Sequence, residues 1–186
     1  MATRDGRIKV IGVDPGTRVC GWGVVEGRAG EVVHVESGAL RPSSTLPAAE
    51  RLRIIYEGLV DVIRRAVPDC MSIESVFFAR NARSALRLGE ARGVAVLAAA
   101  TCGLEVHEYA PAQVKLLLTG RGRATKAQVQ RVLSLMLGVE RWETQDVSDA
   151  VAIAVCHVAH AGGGPLGEAA LTRRRKRRFT AADLAS

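Results

Sequence analysis

Three apolar runs rich in β-branched residues open the chain, at 8–13, 21–25 and 32–40. Turns at Gly16 and across 27–30 separate them, which predicts an antiparallel meander. From Pro47 onward Leu52, Ile55, Tyr56, Leu59, Ile63 and Val67 recur with a helical period until Pro68 stops it. A short strand at 70–73 follows, then an Ala-rich helix at 84–100 and a strand at 104–109. Helices at 111–118 and 125–137 flank the loop Thr119-Gly120-Arg121-Gly122-Arg123, and a last helix runs from about Asp146 to His160. The order β-β-β-α-β-α-β-α-α-α predicts an α/β fold with a central five-stranded mixed sheet flanked by helices. Periodicity ends at Gly162-Gly163-Gly164-Pro165. The chain therefore divides into one folded domain, 1–161, and a basic, disordered C-terminal tail, 162–186. No internal repeat is visible.

Charge refines this picture. The net charge of +7 points to a polyanionic partner. Six of the 26 basic residues form one block, Arg173-Arg174-Arg175-Lys176-Arg177-Arg178, leaving 20 basic against 17 acidic residues in 1–161. The body is thus only mildly basic, and its positive charge must gather on one face to hold nucleic acid. Cys20, Cys70, Cys102 and Cys156 are scattered without metal-ligand spacing, and His34, His107, His157 and His160 form no zinc-like pattern. Cys70 and Cys156 lie in apolar runs and read as core residues of a reducing compartment. The polar N-terminus lacks a signal core, and no segment reaches the ~20 apolar residues of a membrane span. A soluble cytoplasmic protein without membrane contact is expected.

The candidate chemistry lies in acids at element ends. Asp14 closes the first strand before Pro15-Gly16, Glu74 closes the strand at 70–73, and Asp146 and Asp149 open the last helix. Singly, each has an ordinary role: a turn at Asp14, a solvated strand end at Glu74, a helix cap worth ~1 kcal/mol at Asp146 or Asp149. Together, at element ends, they are able to converge. Asp146 and Asp149 share a helix face, and parallel neighbouring strands would put Asp14 and Glu74 at one sheet edge. Four carboxylates within a few Å repel unless a cation joins them. Two Mg²⁺ or Mn²⁺ ions about 4 Å apart would suit phosphodiester cleavage.

The segments Gly12-Val13-Asp14-Pro15-Gly16-Thr17, Ile73-Glu74-Ser75-Val76-Phe77, Ala85-Leu86-Arg87-Leu88-Gly89-Glu90-Ala91-Arg92-Gly93, Thr125-Lys126-Ala127-Gln128-Val129 and Asp146-Val147-Ser148-Asp149-Ala150-Val151-Ala152-Ile153-Ala154 resemble the RuvC family of Holliday-junction resolvases. The resemblance spans roughly 8–160 in order. It implies a ribonuclease H-like fold and a crossover junction endodeoxyribonuclease. Such an enzyme is a homodimer that resolves four-way DNA junctions by paired symmetric nicks in strands of like polarity, in recombination and repair. It works with two metal ions per site, beside a RuvA-RuvB branch-migration complex. The matching acids are Asp14, Glu74, Asp146 and Asp149; some relatives carry histidine at the position of Asp146. Nothing in the resemblance covers the arginine-rich tail.

Around these acids lie candidate DNA contacts. Phe77-Phe78 is extended, so one ring faces the core and the other faces out, or both are core. The resemblance makes Phe77 the base-contacting aromatic, where stacking is worth ~1–3 kcal/mol. Arg80, Arg83 and Arg87 read as a solvated face or, beside the acids, a phosphate track. Arg121 and Arg123 sit in a flexible cationic loop. Lys115 and Lys126 match family lysines near the cut, and Lys126 is the catalytic candidate because an ammonium offsets charge developing on the phosphate. Gly89 and Gly93 each cost a helix ~1 kcal/mol; close packing on the sheet explains them, or the dimer interface that the resemblance implies.

Rival readings are fewer. Val13-Asp14-Pro15-Gly16-Thr17 is similar to the first phosphate loop of actin-like ATPases, which need a second loop and a longer chain. A ribonuclease H-like nuclease acting on RNA–DNA hybrids and a non-catalytic junction-binding protein are the alternatives.

Overall fold

The computed structural model describes residues 6–75 and 82–162. Phe77, Arg80 and residues 163–186 of the tail lie outside the described residues, as does the side chain of Arg83. In chain order the elements are β1 (Ile8–Asp14), β2 (Cys20–Arg28), β3 (Glu31–Leu40), α1 (Ala48–Ala66), β4 (Cys70–Glu74), α2 (Ala82–Thr101), β5 (Glu105–Tyr109), α3 (Pro111–Thr119), α4 (Lys126–Leu137) and α5 (Gln145–Ala161). The sheet runs β3-β2-β1-β4-β5. The first three strands form the expected antiparallel meander, and β4 and β5 extend it in parallel, so the sheet is mixed.

One boundary differs from expectation. β2 runs on to Arg28, and Gly27, read as part of the turn, pairs with Ile8 on one side and Val32 on the other. A Cβ at Gly27 would lie 2.2 Å from the Glu31 carbonyl oxygen, so the strands close too tightly there for a side chain. The turn itself is Ala29-Gly30, and Gly30 takes the left-handed conformation it needs (φ 81°).

Alternation along the strands divides the core. Ile11, Val13, Val24, Met71 and Ile73 face α1 and α2, where they meet Ile55, Leu59, Ile63 and the alanines Ala95, Ala98 and Ala99. Val10, Val25, Cys70 and Tyr109 face the opposite layer, packed with residues of α3, α4 and α5. α5 is buried along most of its length and lies over the middle of the sheet.

Glycines on the sheet allow that approach. A Cβ on Gly12 would lie 2.0 Å from the Ala150 carbonyl oxygen, one on Gly21 would lie 2.2 Å from that of Asp146, and one on Gly23 would lie 2.2 Å from Val151 Cγ2. Three residues on β1 and β2 thus form a smooth track on which α5 rests backbone to sheet. Among the described residues, no helix is long and apolar enough to cross a membrane.

Candidate active site

The four acids are delivered by three elements. β1 and β4 are parallel neighbours with Val13 opposite Ile73, so their final residues, Asp14 and Glu74, stand side by side at one sheet edge. Asp14 and Glu74 follow Gly12 and Ser72 by two residues and share their α5-facing side. α5 enters over this edge. Thr144 caps it by accepting from the Val147 N–H, which places Asp146 in its first turn and Asp149 one turn along. Gly21, opposite Asp14 on β2, lets the Asp146 backbone come down onto the sheet.

The electrostatics follow from this crowding. Asp14 is raised from 3.8 to about 7, first by burial and then by the charges of Asp149, Glu74 and Asp146, with Lys126 opposing. Glu74 is raised by burial and by Asp149, with Lys126 and Lys115 opposing. The charges of Glu74, Asp146 and Asp149 thus all reach Asp14.

Lys126 completes the cluster. Its Nζ donates to Asp149 Oδ2 at 2.7 Å. Burial works against its charge, but the hydrogen bond to Asp149 and the charges of Asp149, Asp14 and Glu74 hold its pKa above the ordinary value. A lysine in the first turn of a helix opposes the helix dipole. Its place is fixed by a reciprocal cap, in which the Gln128 N–H donates to Thr125 Oγ1 and the Thr125 N–H donates to Gln128 Oε1. Further along α4, Gln130 Nε2 donates to Ser148 Oγ at 3.2 Å, and Trp142 Nε1 donates to Ser134 Oγ at 2.7 Å. Lys126, Gln130 and Ser134 recur every four residues, so one face of α4 is bonded to α5 and its approach. Sequence reasoning missed Gln130 and Ser148 as positioning residues; the four-residue spacing was the available signal.

The remaining candidates are distributed as follows. Lys115 on α3 is half-buried, and its charge reaches Glu74. Arg121 and Arg123 are exposed in the α3–α4 turn, shortly before Lys126, and Arg87 is exposed on α2. Gly89 and Gly93 are exposed, and a Cβ on either would meet nothing within 4 Å. Packing against the sheet therefore does not explain them. Leu86 (69% exposed) and Leu97 (57%) continue the same outward stripe of α2.

The donor set suits a hard divalent cation. Four carboxylates converge, and among the described residues Lys126 alone is hydrogen-bonded to them as an ammonium, which leaves most of their charge unbalanced. Oxygen donors favour Mg²⁺ or Mn²⁺. The structure also brings together a second group that the sequence did not reveal: Cys70, His107 and His157 have ligand atoms within 4.8 Å of one another. They come from β4, β5 and α5, and no sequence spacing links them.

Comparison with known proteins places the chain among relatives of one family. Residues 10–157 match the family model described as crossover junction endodeoxyribonuclease RuvC. The chain is 52% identical over 153 residues to the crossover junction endodeoxyribonuclease RuvC of Anaeromyxobacter sp., covering 82% of this chain and 74% of that one. It is 44% identical over 154 residues to that of Citrifermentans bemidjiense, covering 83% and 93%. Its fold is similar to that of Thermus thermophilus RuvC in complex with Holliday junction substrate, with a TM-score of 0.80 and 32% identity over 83% of this chain and 95% of that one. The ribonuclease H-like arrangement, a five-stranded mixed sheet flanked by helices, is shared.

Proposed function

The chain belongs to the RuvC family, and from that membership we propose that it is a crossover junction endodeoxyribonuclease that resolves four-way DNA junctions by paired, symmetric nicks. The observation that carries this reading is the convergence of Asp14, Glu74, Asp146 and Asp149 where β1 and β4 end beneath the start of α5. A sheet edge with four carboxylates is equipped to hold two divalent ions, Mg²⁺ or Mn²⁺. Such ions supply Lewis acidity to the attacking and departing oxygens of a phosphodiester.

The protein's own groups have separate tasks in this reading. Asp14 and Glu74 come from the rigid sheet and set the frame of the site. Asp146 and Asp149 come from α5 and close it from above. Lys126, held by Asp149 in the free protein, turns to the scissile phosphate and offsets the charge that develops on it. Lys115, Arg121 and Arg123 lead away from the acids along α3 and the following turn, and neutralise phosphates of the bound strand. We assign further phosphate contacts to Arg80, Arg83 and Arg87 and, to Phe77, stacking on a base freed at the crossover.

Paired nicking needs two sites that face one junction, and an isologous homodimer supplies them. The exposed stripe Leu86-Gly89-Gly93-Leu97 on α2 is the surface suited to such contact: it is apolar, and its glycines leave open space for a partner helix. The protein acts in the cytoplasm, on junctions presented by the RuvA-RuvB complex.

The test is cleavage of a synthetic four-way junction beside linear duplex and RNA–DNA hybrid, with Mg²⁺, Mn²⁺ or chelator. Metal-dependent nicking of the junction at symmetric positions is expected. Preferred cleavage of the hybrid would replace this reading with a ribonuclease, and binding without cleavage would replace it with a junction-binding protein.

A further inference from the structure

At the end of β4 away from Glu74, roughly 13 Å along the strand, a different kind of donor set lies between the sheet and α5. We propose that Cys70, His107 and His157 form a second metal site, separate from the carboxylates, that takes Zn²⁺.

The donors are the first ground. One thiol and two imidazoles have ligand atoms within 4.8 Å of one another. Sulfur and nitrogen donors favour zinc-like ions over Mg²⁺ and Mn²⁺. This cluster and the acid cluster would therefore sort their metals by chemistry, without competing.

The surroundings are the second ground. Tyr109 Oη lies 2.7 Å from His157 Nδ1, which orients the ring and leaves Nε2 as the nitrogen able to coordinate. Glu105 Oε1 lies 3.8 Å from His107 Nε2, in ion-pair range but beyond a hydrogen bond, so a carboxylate stands beside this ring at the edge of the sheet. Ser72 occupies the next α5-facing position of β4 after Cys70 and pairs with His107 across the sheet. Its hydroxyl is wholly buried and has no hydrogen-bond partner among the described residues. An ion with a bound water in this space would give that hydroxyl a partner.

Access is the third ground. β5 is the edge strand, and the His107 side chain is 31% exposed. An ion can reach the cluster from this edge without opening the core. The His107 and His157 rings are stacked, with centroids 4.1 Å apart and planes inclined by 23°. Stacked rings cannot both aim a lone pair at one ion, so one must turn on binding. His107, at the edge, has the room. Coordination also requires the Cys70 thiol to release its proton to solvent, so binding strengthens as pH rises.

The experiment uses the full-length protein, stripped with chelator and kept in excess Mg²⁺ so that the acids are occupied. Co²⁺ is titrated as a spectroscopic probe and then displaced with Zn²⁺. One tight equivalent with a thiolate-to-cobalt absorption band is expected, and Zn²⁺ abolishes the band. Cys70→Ala removes it. His107→Gln, at an edge position that spares the fold, removes tight binding. Tyr109→Phe weakens binding about 10–100-fold through the lost support of His157. Asp14→Asn leaves binding of the probe unchanged, which separates this site from the nuclease reading. Absence of the band in the wild type, its survival in Cys70→Ala, or unchanged affinity in His107→Gln overturns the proposal.

Discussion

A Cβ placed on Gly12 would lie 2.0 Å from the carbonyl oxygen of Ala150. β1 and α5 thus meet backbone to backbone at the residue after Asp149, one turn from Asp146 and two residues from Asp14. This contact sets the distance between the acids of the sheet and those of the helix. Gly12→Ala must push α5 outward, because the obstructing atom is backbone and cannot rotate away. The expected cost is about 1–3 kcal/mol of stability, with a loss of cleavage larger than the loss of junction binding. Denaturant unfolding and cleavage rates measured on the same preparation check this; an unchanged rate in a destabilised variant would mean that the acids tolerate the shift.

Asp14→Asn, Glu74→Gln and Asp149→Asn are each expected to abolish cleavage while junction binding stays near wild type. Each removes a charge from metal capture and, if anything, relieves repulsion of DNA phosphates. Asp146→Asn should impair cleavage as well. Gel-shift and cleavage assays on one junction decide it, and a variant that cuts at the wild-type rate removes that residue from the site.

Asp14 should mark the pH dependence of stability in the metal-free protein. Its pKa rises from 3.8 to about 7 on folding, so the folded state holds the proton more tightly. The stability it contributes is full below 3.8 and is lost as pH climbs through about 7. In chelator at pH 8, Asp14→Asn should therefore melt above the wild type, by an amount on the order of a few kcal/mol. The gap should narrow at pH 5, and Mg²⁺ should stabilise the wild type more than the variant at pH 8. Thermal melts across this range test the sign; a gap independent of pH would place the effect in packing instead.

Lys126→Met should lower the cleavage rate about 10²–10³-fold, the loss typical of one donor that meets developing charge, with junction affinity little changed. Gln130→Leu should lower the rate by less, because it frees the α4 face that carries Lys126 while leaving the ammonium in place. Single-turnover kinetics separate the two, and rescue of Lys126 by arginine but not by methionine would support a charge role.

Leucine at Gly89 or Gly93 meets open space in the protomer. Gly89→Leu and Gly93→Leu should leave the fold intact or raise its melting temperature, since glycine costs a helix ~1 kcal/mol. Both should nonetheless weaken dimerisation and paired nicking together. Sedimentation across a concentration series is the measurement, and a wild type that remains a monomer with full resolving activity would refute the interface.

Much of this protein was legible along the chain. Apolar runs ending at Asp14 and Glu74 and a helical period stopped by Pro68 are local signals, because each depends on residues within one turn or one strand. They determined the element order, the mixed sheet and the four acids. The cap of α5, expected at Asp146 or Asp149, is instead Thr144, whose hydroxyl accepts from the Val147 N–H. Gly27 was misplaced because a glycine looks alike in a turn and in a tightly paired strand, and only the register with Ile8 and Val32 separates the two. Tertiary structure alone decided the rest. The track of Gly12, Gly21 and Gly23 has meaning only once α5 lies across it. The bond from Lys126 to Asp149 joins residues 23 apart, and Cys70, His107 and His157 share no spacing at all. Close approach between elements is a property of packed surfaces, and no local pattern encodes which surfaces will meet.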